Sequence, residues 1–210
     1  MIVTELLVAA RSRTCKKAVA FYRGLAEAVP DCYRRELADS LDTLGLVLVE
    51  LDRPAEALPP LQEAVALYRG LTEEAHDYRP ELARSLDALG LVLVELDRPV
   101  EALPPLQEAV ALYRGLTEEA HDYRPELARS LDTLGHLLWE QDRPAEALPP
   151  LQEAVALYRG LAEAVPDRYR RELADSLDTL GLVLVELGRP AEARAASDQA
   201  TALQEKKNSP

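Results

Sequence analysis

Leucine, alanine and valine recur along this chain at intervals of three and four, and proline interrupts the runs at regular places. From Pro80 the segment PELARSLDALGLVLVEL sets Leu82, Leu86, Leu89, Leu93 and Leu96 on one side of an α-helix. Proline suits the first helical position, where its missing N–H has no intrahelical partner, and Glu81 complements the positive end of the helix dipole. The helix is expected to stop at Asp97-Arg98-Pro99, because a residue preceding proline avoids the helical region. A second helix is predicted through EALPPLQEAVALYRGLTEEA, with Leu103, Leu106, Ala109, Val110 and Tyr113 as its apolar stripe. Residues 120–125 break the pattern before the next Pro-Glu-Leu. The double prolines Pro59-Pro60, Pro104-Pro105 and Pro149-Pro150 remove backbone donors, so the second helix is expected to open with a loose turn and become regular near the second proline.

The same pattern returns every 45 residues. AVALYRGL begins at Ala64, Ala109 and Ala154, and a fourth copy, AVAFYRGL, begins at Ala18. A Leu-Gly pair recurs at Gly45, Gly90, Gly135 and Gly181, and residues 71–115 differ from 116–160 at six positions only. Neither helix of such a unit can bury its stripe alone, whereas stacked units cover one another. The short Asp-Arg-Pro connection makes the two helices antiparallel neighbours. The expectation is therefore all-α: an α-α superhelix, or solenoid, of antiparallel hairpins. Residues 1–28 match only the second helix of a unit and form a half repeat. Four full repeats follow at 29–75, 76–120, 121–165 and 166–205, as one domain with a disordered tail at 206–210. In the last repeat Ala195-Ala196 replaces the proline pair, and Ser197, Asp198 and Gln199 replace Leu-Gln-Glu. A polar terminal face of this kind reads as a C-terminal cap.

Leu86, Leu89 and Gly90 followed by Ala102 and Ala109 resemble the tetratricopeptide repeat, with Leu93 and Leu106 standing where that family usually has aromatic residues. The fit recurs at Leu41, Leu44, Gly45, Ala57 and Ala64; at Leu131, Leu134, Gly135, Ala147 and Ala154; and at Leu177, Leu180, Gly181, Ala193 and Ala200. The length of the unit is similar to the extended kinesin-light-chain type and to bacterial arrays attached to signalling ATPases; HEAT repeats have a similar period but lack this pairing of small residues. The resemblance implies a concave groove lined by the first helices, holding a segment of another protein, and no enzymatic activity.

Composition narrows the partner. With one Phe, one Trp and one Met, the core must be built from Leu, Ala and Val. The net charge of −13 repels phosphate backbones and anionic headgroups, which argues against nucleic acid and membrane surfaces and favours a basic peptide or protein patch. Cys15 and Cys32 have no counterparts in the later repeats and read as free thiols in a reducing compartment. The N-terminus has no basic segment ahead of its apolar run, so it does not read as a signal peptide, and the expected location is cytoplasmic. No nucleotide, metal or redox motif occurs, and no cofactor is expected. Ser40, Ser85, Ser130 and Ser176 read as small residues in a packed helix, and the loop residues His76 and His121 as structural.

Candidate binding residues come from the places where the copies diverge. Five of the six differences between repeats two and three lie on the first helix, among them Leu91/His136 and Val94/Trp139. The resemblance puts these positions in the groove. His136 and Trp139 are three apart, so they are neighbours on one helical face. Trp139 either anchors a partner or fills a gap between adjacent first helices; His136 reads as polar lining. Asp42, Asp87, Asp132 and Asp178 recur at the next groove position, and Asp39, Arg84, Arg129 and Asp175 one turn earlier. Such a row either attracts a cationic ligand or is a solvated row paired with arginines. The leading expectation is a binding module, free-standing or the sensor part of a larger signalling ATPase or transcriptional regulator. The alternative is a self-associating structural module, joined through the uncapped N-terminal helix.

Overall fold

The computed structural model describes residues 2–74, 78–119 and 122–205, with side chains from Ala10 to Gln204. The tail at 206–210 and the loop histidines His76 and His121 lie outside these described residues. Among the described residues there are nine α-helices and no strand: α1 (Ile2–Ala28), α2 (Pro30–Glu50), α3 (Pro54–Glu73), α4 (Arg79–Glu95), α5 (Pro99–Glu118), α6 (Arg124–Glu140), α7 (Pro144–Ala164), α8 (Pro166–Glu186) and α9 (Pro190–Glu205). The fold is an all-α repeat solenoid. It divides into two compact units, Met1–Leu112 and Tyr113–Pro210, the division falling within α5. In the first, α1 packs on α2, α2 on α3, and α3 on α4, with α4 also touching α2. In the second, α6 packs on α7, α7 on α8 and α8 on α9, with α8 touching α6. No helix among the described residues is long and apolar enough to cross a membrane.

The turn inside each hairpin explains why its helices end where they do. After α4 ends, Asp97 takes a left-handed conformation at φ 57°, as do Asp52 and Asp142 at the matching positions, and Gly188 at φ 68° in the last hairpin. The Arg98 N–H reaches back to the Leu93 carbonyl at 2.9 Å and the Asp97 N–H to Val94 at 2.9 Å. This six-to-one and five-to-two pair closes the last turn of the helix. Arg98 then starts the next helix, its carbonyl accepting from the Glu101 and Ala102 N–H groups. Its guanidinium grips Glu101 with two bonds of 2.7 and 2.6 Å. Arg143 holds Glu146 and Arg189 holds Glu192 in the same way, and Arg53 holds Glu56. The bond from Arg98 keeps the Glu101 carboxyl below its ordinary pKa. None of Arg53, Tyr78, Tyr123, Arg143 and Val165 caps its helix through its side chain. Proline in the first turn of each of these helices makes up part of that lack, because it removes a donor that would otherwise need a partner.

Two expectations about proline need correction. Pro99 does not stand in a break between helices; it is the first residue of α5. The double proline does not delay the second helix either, since α3 is helical from Pro54 with Pro59 and Pro60 inside it. Tertiary packing overrides the local penalty here. Pro60 is buried within α3, and the flanking Ala57 and Leu61 are both 0% exposed, so the ring and its neighbours belong to the core.

The core is Leu, Ala and Val as composition requires, with four buried tyrosines among the described residues, Tyr68, Tyr113, Tyr158 and Tyr169. The Tyr68 hydroxyl donates to Asp39 at 2.6 Å, and burial, followed by that carboxylate, drives the phenol well above its ordinary pKa. The recurrent glycine makes room for a leucine of the facing helix in three of the hairpins. A Cβ at Gly45, Gly90 or Gly135 would lie 2.5 Å from the Leu61, Leu106 or Leu151 side chain. At Gly181 the matching residue is Ser197, and a Cβ would meet nothing nearer than the Ala193 carbonyl at 3.5 Å.

Two stability tests follow. Gly90→Ala overpacks the α4–α5 contact and should cost about 1–3 kcal/mol, whereas Gly181→Ala should be neutral or gain up to about 1 kcal/mol from helix propensity. Urea unfolding midpoints of the two variants check this; equal costs would contradict the packing difference. By the same measurement, Asp97→Gly relieves a left-handed residue and should stabilise by about 0.5–1 kcal/mol, while Gly188→Ala should destabilise by about 1 kcal/mol.

Candidate functional site

The candidate residues of the second unit share one face of α6, two of them, His136 and Trp139, at positions where the repeats diverge. Arg129, Asp132, His136 and Trp139 follow one another at spacings of three and four, which keeps them on one side of the helix. The rings of His136 and Trp139 meet edge to face, with centroids 5.6 Å apart at 76°. Trp139 is half-buried, and its indole N–H donates to Glu186 at the end of α8 at 2.8 Å. It therefore packs against the next first helix and also presents part of its ring to solvent, so the two roles expected for it are not exclusive. His136 is exposed, with Nδ1 3.6 Å from Glu140, an ion pair only when the imidazole is protonated.

In the first unit, Arg84, Asp87, Leu91 and Val94 share one face of α4, and Asp42 lies on α2. Arg84 and Leu91 are exposed, Val94 is half-buried and Asp87 is buried. Asp42, 1% exposed, accepts from Ser85 Oγ and, at 2.9 Å, from Arg84 Nη2, both of α4. In the second unit Asp132 accepts from Ser176 Oγ of α8. The recurrent aspartate is thus a stitch between successive first helices at these two junctions, and a ligand competing for Asp42 would have to displace two internal donors. Asp178 is exposed and accepts from Gln204 Nε2 at 3.3 Å.

Ser85 and Ser176 are therefore functional parts of the packing and not merely small residues. The signal was in the sequence. Ser-Leu-Asp recurs at 40–42, 85–87, 130–132 and 176–178, so each first helix carries a donor and an acceptor in fixed register. Glu186, the partner of Trp139, carried no such signal, because its counterparts Glu50, Glu95 and Glu140 look the same in every copy.

The two stitches differ in charge. Asp42 meets Arg84, which is half-exposed, so that its attraction is partly screened. At the second junction Asp175 stands where Arg84 does. Burial pushes the Asp132 carboxyl above its ordinary pKa; the bond from Ser176 and the charge of His136 oppose this, and Asp175 adds to it. Second helices are joined by exposed pairs, Arg23 with Glu63, Arg69 with Glu108 and Arg114 with Glu153, while Arg159 meets Gln199 instead. Exposed pairs of this kind contribute about 0–1 kcal/mol each, so they set register more than stability. Both cysteines are free. Among the described residues, no group of three or more His, Cys, Asp or Glu is placed to hold a metal ion.

The tetratricopeptide repeat family pattern matches residues 37–78, 82–123, 127–164 and 173–210. No curated protein sequence matches the chain. Among solved structures it is similar to a putative kinesin light chain of Podospora anserina with nearly identical tetratricopeptide-like repeats: 18% identity over 98% of this chain and 95% of that one, TM-score 0.64. It is also similar to MamA, at 18% identity over 92% of this chain and 90% of that one, TM-score 0.62. YrrB, described as a tetratricopeptide repeat protein with an unusual peptide-binding site, shares 21% identity over 96% of this chain and 83% of its own, TM-score 0.57. At these identities the likeness is one of fold.

The unequal stitches predict unequal responses. Asp42→Asn loses a charge-assisted bond and should cost about 1–2 kcal/mol at pH 7; Asp132→Asn should change stability by less than about 1 kcal/mol. A raised folded-state pKa means the folded chain holds the Asp132 proton more tightly than the unfolded chain does. Its contribution is therefore full below the unfolded value of 3.8 and is lost as pH rises through the folded one. Asp132→Asn should accordingly gain on the wild type between pH 4 and pH 7 in thermal unfolding; a constant difference would show that Asp132 is not raised.

Proposed function

The chain belongs to the tetratricopeptide repeat family, and we propose that it is a protein- or peptide-binding scaffold whose partner segment is held by the exposed faces of the first helices. The observation that carries this reading is the His136–Trp139 pair. In a chain whose repeats are almost copies, the one Trp stands at a divergent position, held by Glu186 yet with part of its ring open. A large amphipathic ring fixed in orientation and half-exposed suits an interface anchor. Arg129, Arg84, Leu91 and Val94 complete the lining on their respective helices. Of the aspartates, Asp132 contributes an acidic edge beside His136, and Asp87 and Asp42 act on a ligand only through their field. The net charge of −13 favours a basic partner segment, by electrostatic steering, over nucleic acid or a membrane surface.

The scaffold reading also covers the remaining expectations. The chain acts without catalysis or cofactor, in the cytoplasm, free-standing or as the sensor part of a larger signalling protein. It is favoured over self-association through α1 because the divergent residues lie on α6 and α4. Self-association is supported by Phe21, which is 63% exposed on α1.

Because Trp139 is the one Trp in the chain, its fluorescence reports on this site alone. Proteins captured from host lysate on the wild type and on Trp139→Ala identify the segment that depends on the ring. Titrating that segment should shift Trp139 emission, weaken as salt rises, and lose about tenfold or more in affinity with Trp139→Ala, while the circular dichroism of the variant stays that of a folded helical protein. An unfolded Trp139→Ala, or captured partners indifferent to it, would make Trp139 a packing residue and overturn the anchor.

A further inference from the structure

An arginine completes the junction of first helices in the first unit, and the second unit has none at that place. Arg84 of α4 donates to Asp42 of α2 at 2.9 Å and has Tyr68 and Glu81 as further neighbours. In the second unit the matching residues are Asp132, Tyr158 and Glu172, so the neighbours of that arginine are all kept. Asp175 stands where the arginine would. It adds a carboxylate to the junction and is paired loosely, with Arg171 at 3.6 Å, whose side chain is 83% exposed. Asp132 accepts from Ser176 Oγ, and the charges that act on it are those of His136 and Asp175.

An acidic row by itself is a solvated surface. Tyr158 makes this one different. It rises from α7 between α6 and α8, where Asp132 and Arg129 on one side and Glu172 on the other act on it. It is 5% exposed, yet its hydroxyl forms no hydrogen bond among the described residues. Tyr68 donates to Asp39, but Arg129 occupies that position here and has no acceptor to offer. A buried hydroxyl without a partner is costly, and this one is left for a group from outside these helices. We propose that the α6–α8 junction is a seat for one arginine side chain of the partner segment, its guanidinium lying between Asp132 and Asp175, as Arg84 lies on Asp42, with the Tyr158 hydroxyl as a further acceptor. Arginine suits the seat because its planar fork can meet two carboxylates at once. The seat deepens the scaffold reading and rests on it for its occupant: Asp132 is one turn from His136 and two from Trp139 on the same face of α6.

The test uses the full chain and two synthetic peptides, acetyl-Gly-Gly-Arg-Gly-Gly-amide and the same peptide with citrulline, which keeps the shape and loses the charge. Calorimetric titration at low salt should show the arginine peptide binding about tenfold or more tightly than the citrulline one. Asp132→Asn and Asp175→Arg should each remove that preference, the second by supplying from the chain itself the guanidinium that Arg84 supplies in the first unit. Asp132→Asn keeps an acceptor for Ser176 and Asp175 is exposed, so both variants keep the fold. Glu95→Arg, an equal change of charge on exposed α4, should leave the preference as it is. Tyr158→Phe should weaken the arginine peptide without lowering the melting temperature, whereas Tyr68→Phe, which loses its bond to Asp39, should lower it. No preference for arginine, or one that survives Asp132→Asn and Asp175→Arg or falls equally with Glu95→Arg, overturns the proposal. So does a dimer in light scattering that Asp175→Arg abolishes, since the occupant would then be a second copy. A captured segment that depends on Trp139 but ignores Asp175→Arg sinks the seat and leaves the scaffold standing; arginine binding at the seat with no Trp139-dependent partner does the reverse.

Discussion

The close approach of glycine to leucine inside the hairpin is the contact on which the rest depends. At Gly45, Gly90 and Gly135 there is no room for a Cβ. The absence of a side chain lets the facing leucine sink to 0% exposure, and with it the second helix moves near enough for the small Ala57, Ala64, Ala102 and Ala109 to pack at 0% exposure as well. A chain with so few aromatic residues cannot fill wide gaps between helices. Close packing of small and branched side chains recovers the dispersion energy that large rings would otherwise supply.

The turn and the stitch then convert one tight hairpin into a stack. The left-handed Asp and the following Arg close one helix and open the next within two residues, so neighbouring helices have little freedom in their relative placement. The Ser-to-Asp bond joins Asp42 to Ser85 and Asp132 to Ser176 without long side chains that would need ordering. Because each bond lies between successive first helices, it ties the register of one hairpin to that of the next. The exposed face of a first helix, where His136 and Trp139 stand, can therefore vary at little cost to the packing behind it.

Replacing Arg84 by Asp175 removes the attractive partner at the second junction and sets a like charge beside Asp132. Replacing leucine by Ser197 empties a notch that is filled at Gly45, Gly90 and Gly135. Both changes occur in the last hairpin, beside the helix face that carries exposed Leu182 and Val185.

The sequence by itself determined the helices, their antiparallel pairing and their family, because those depend on local periodicity, turn residues and a pattern repeated four times. It also marked Trp139 and His136, since a lone departure in near-identical copies stands out. Tertiary structure decided what the marked residues touch. That Asp42 is buried under Ser85 and Arg84, that Trp139 reaches Glu186 and that Pro60 sits inside a regular helix all follow from contacts across tens of residues, or from packing strong enough to override a local preference. Periodicity records which side of a helix faces inward. It carries no information on which neighbour waits there, because a recurring residue looks the same to the sequence whether its face is covered, as at Asp42, or open, as at Asp178.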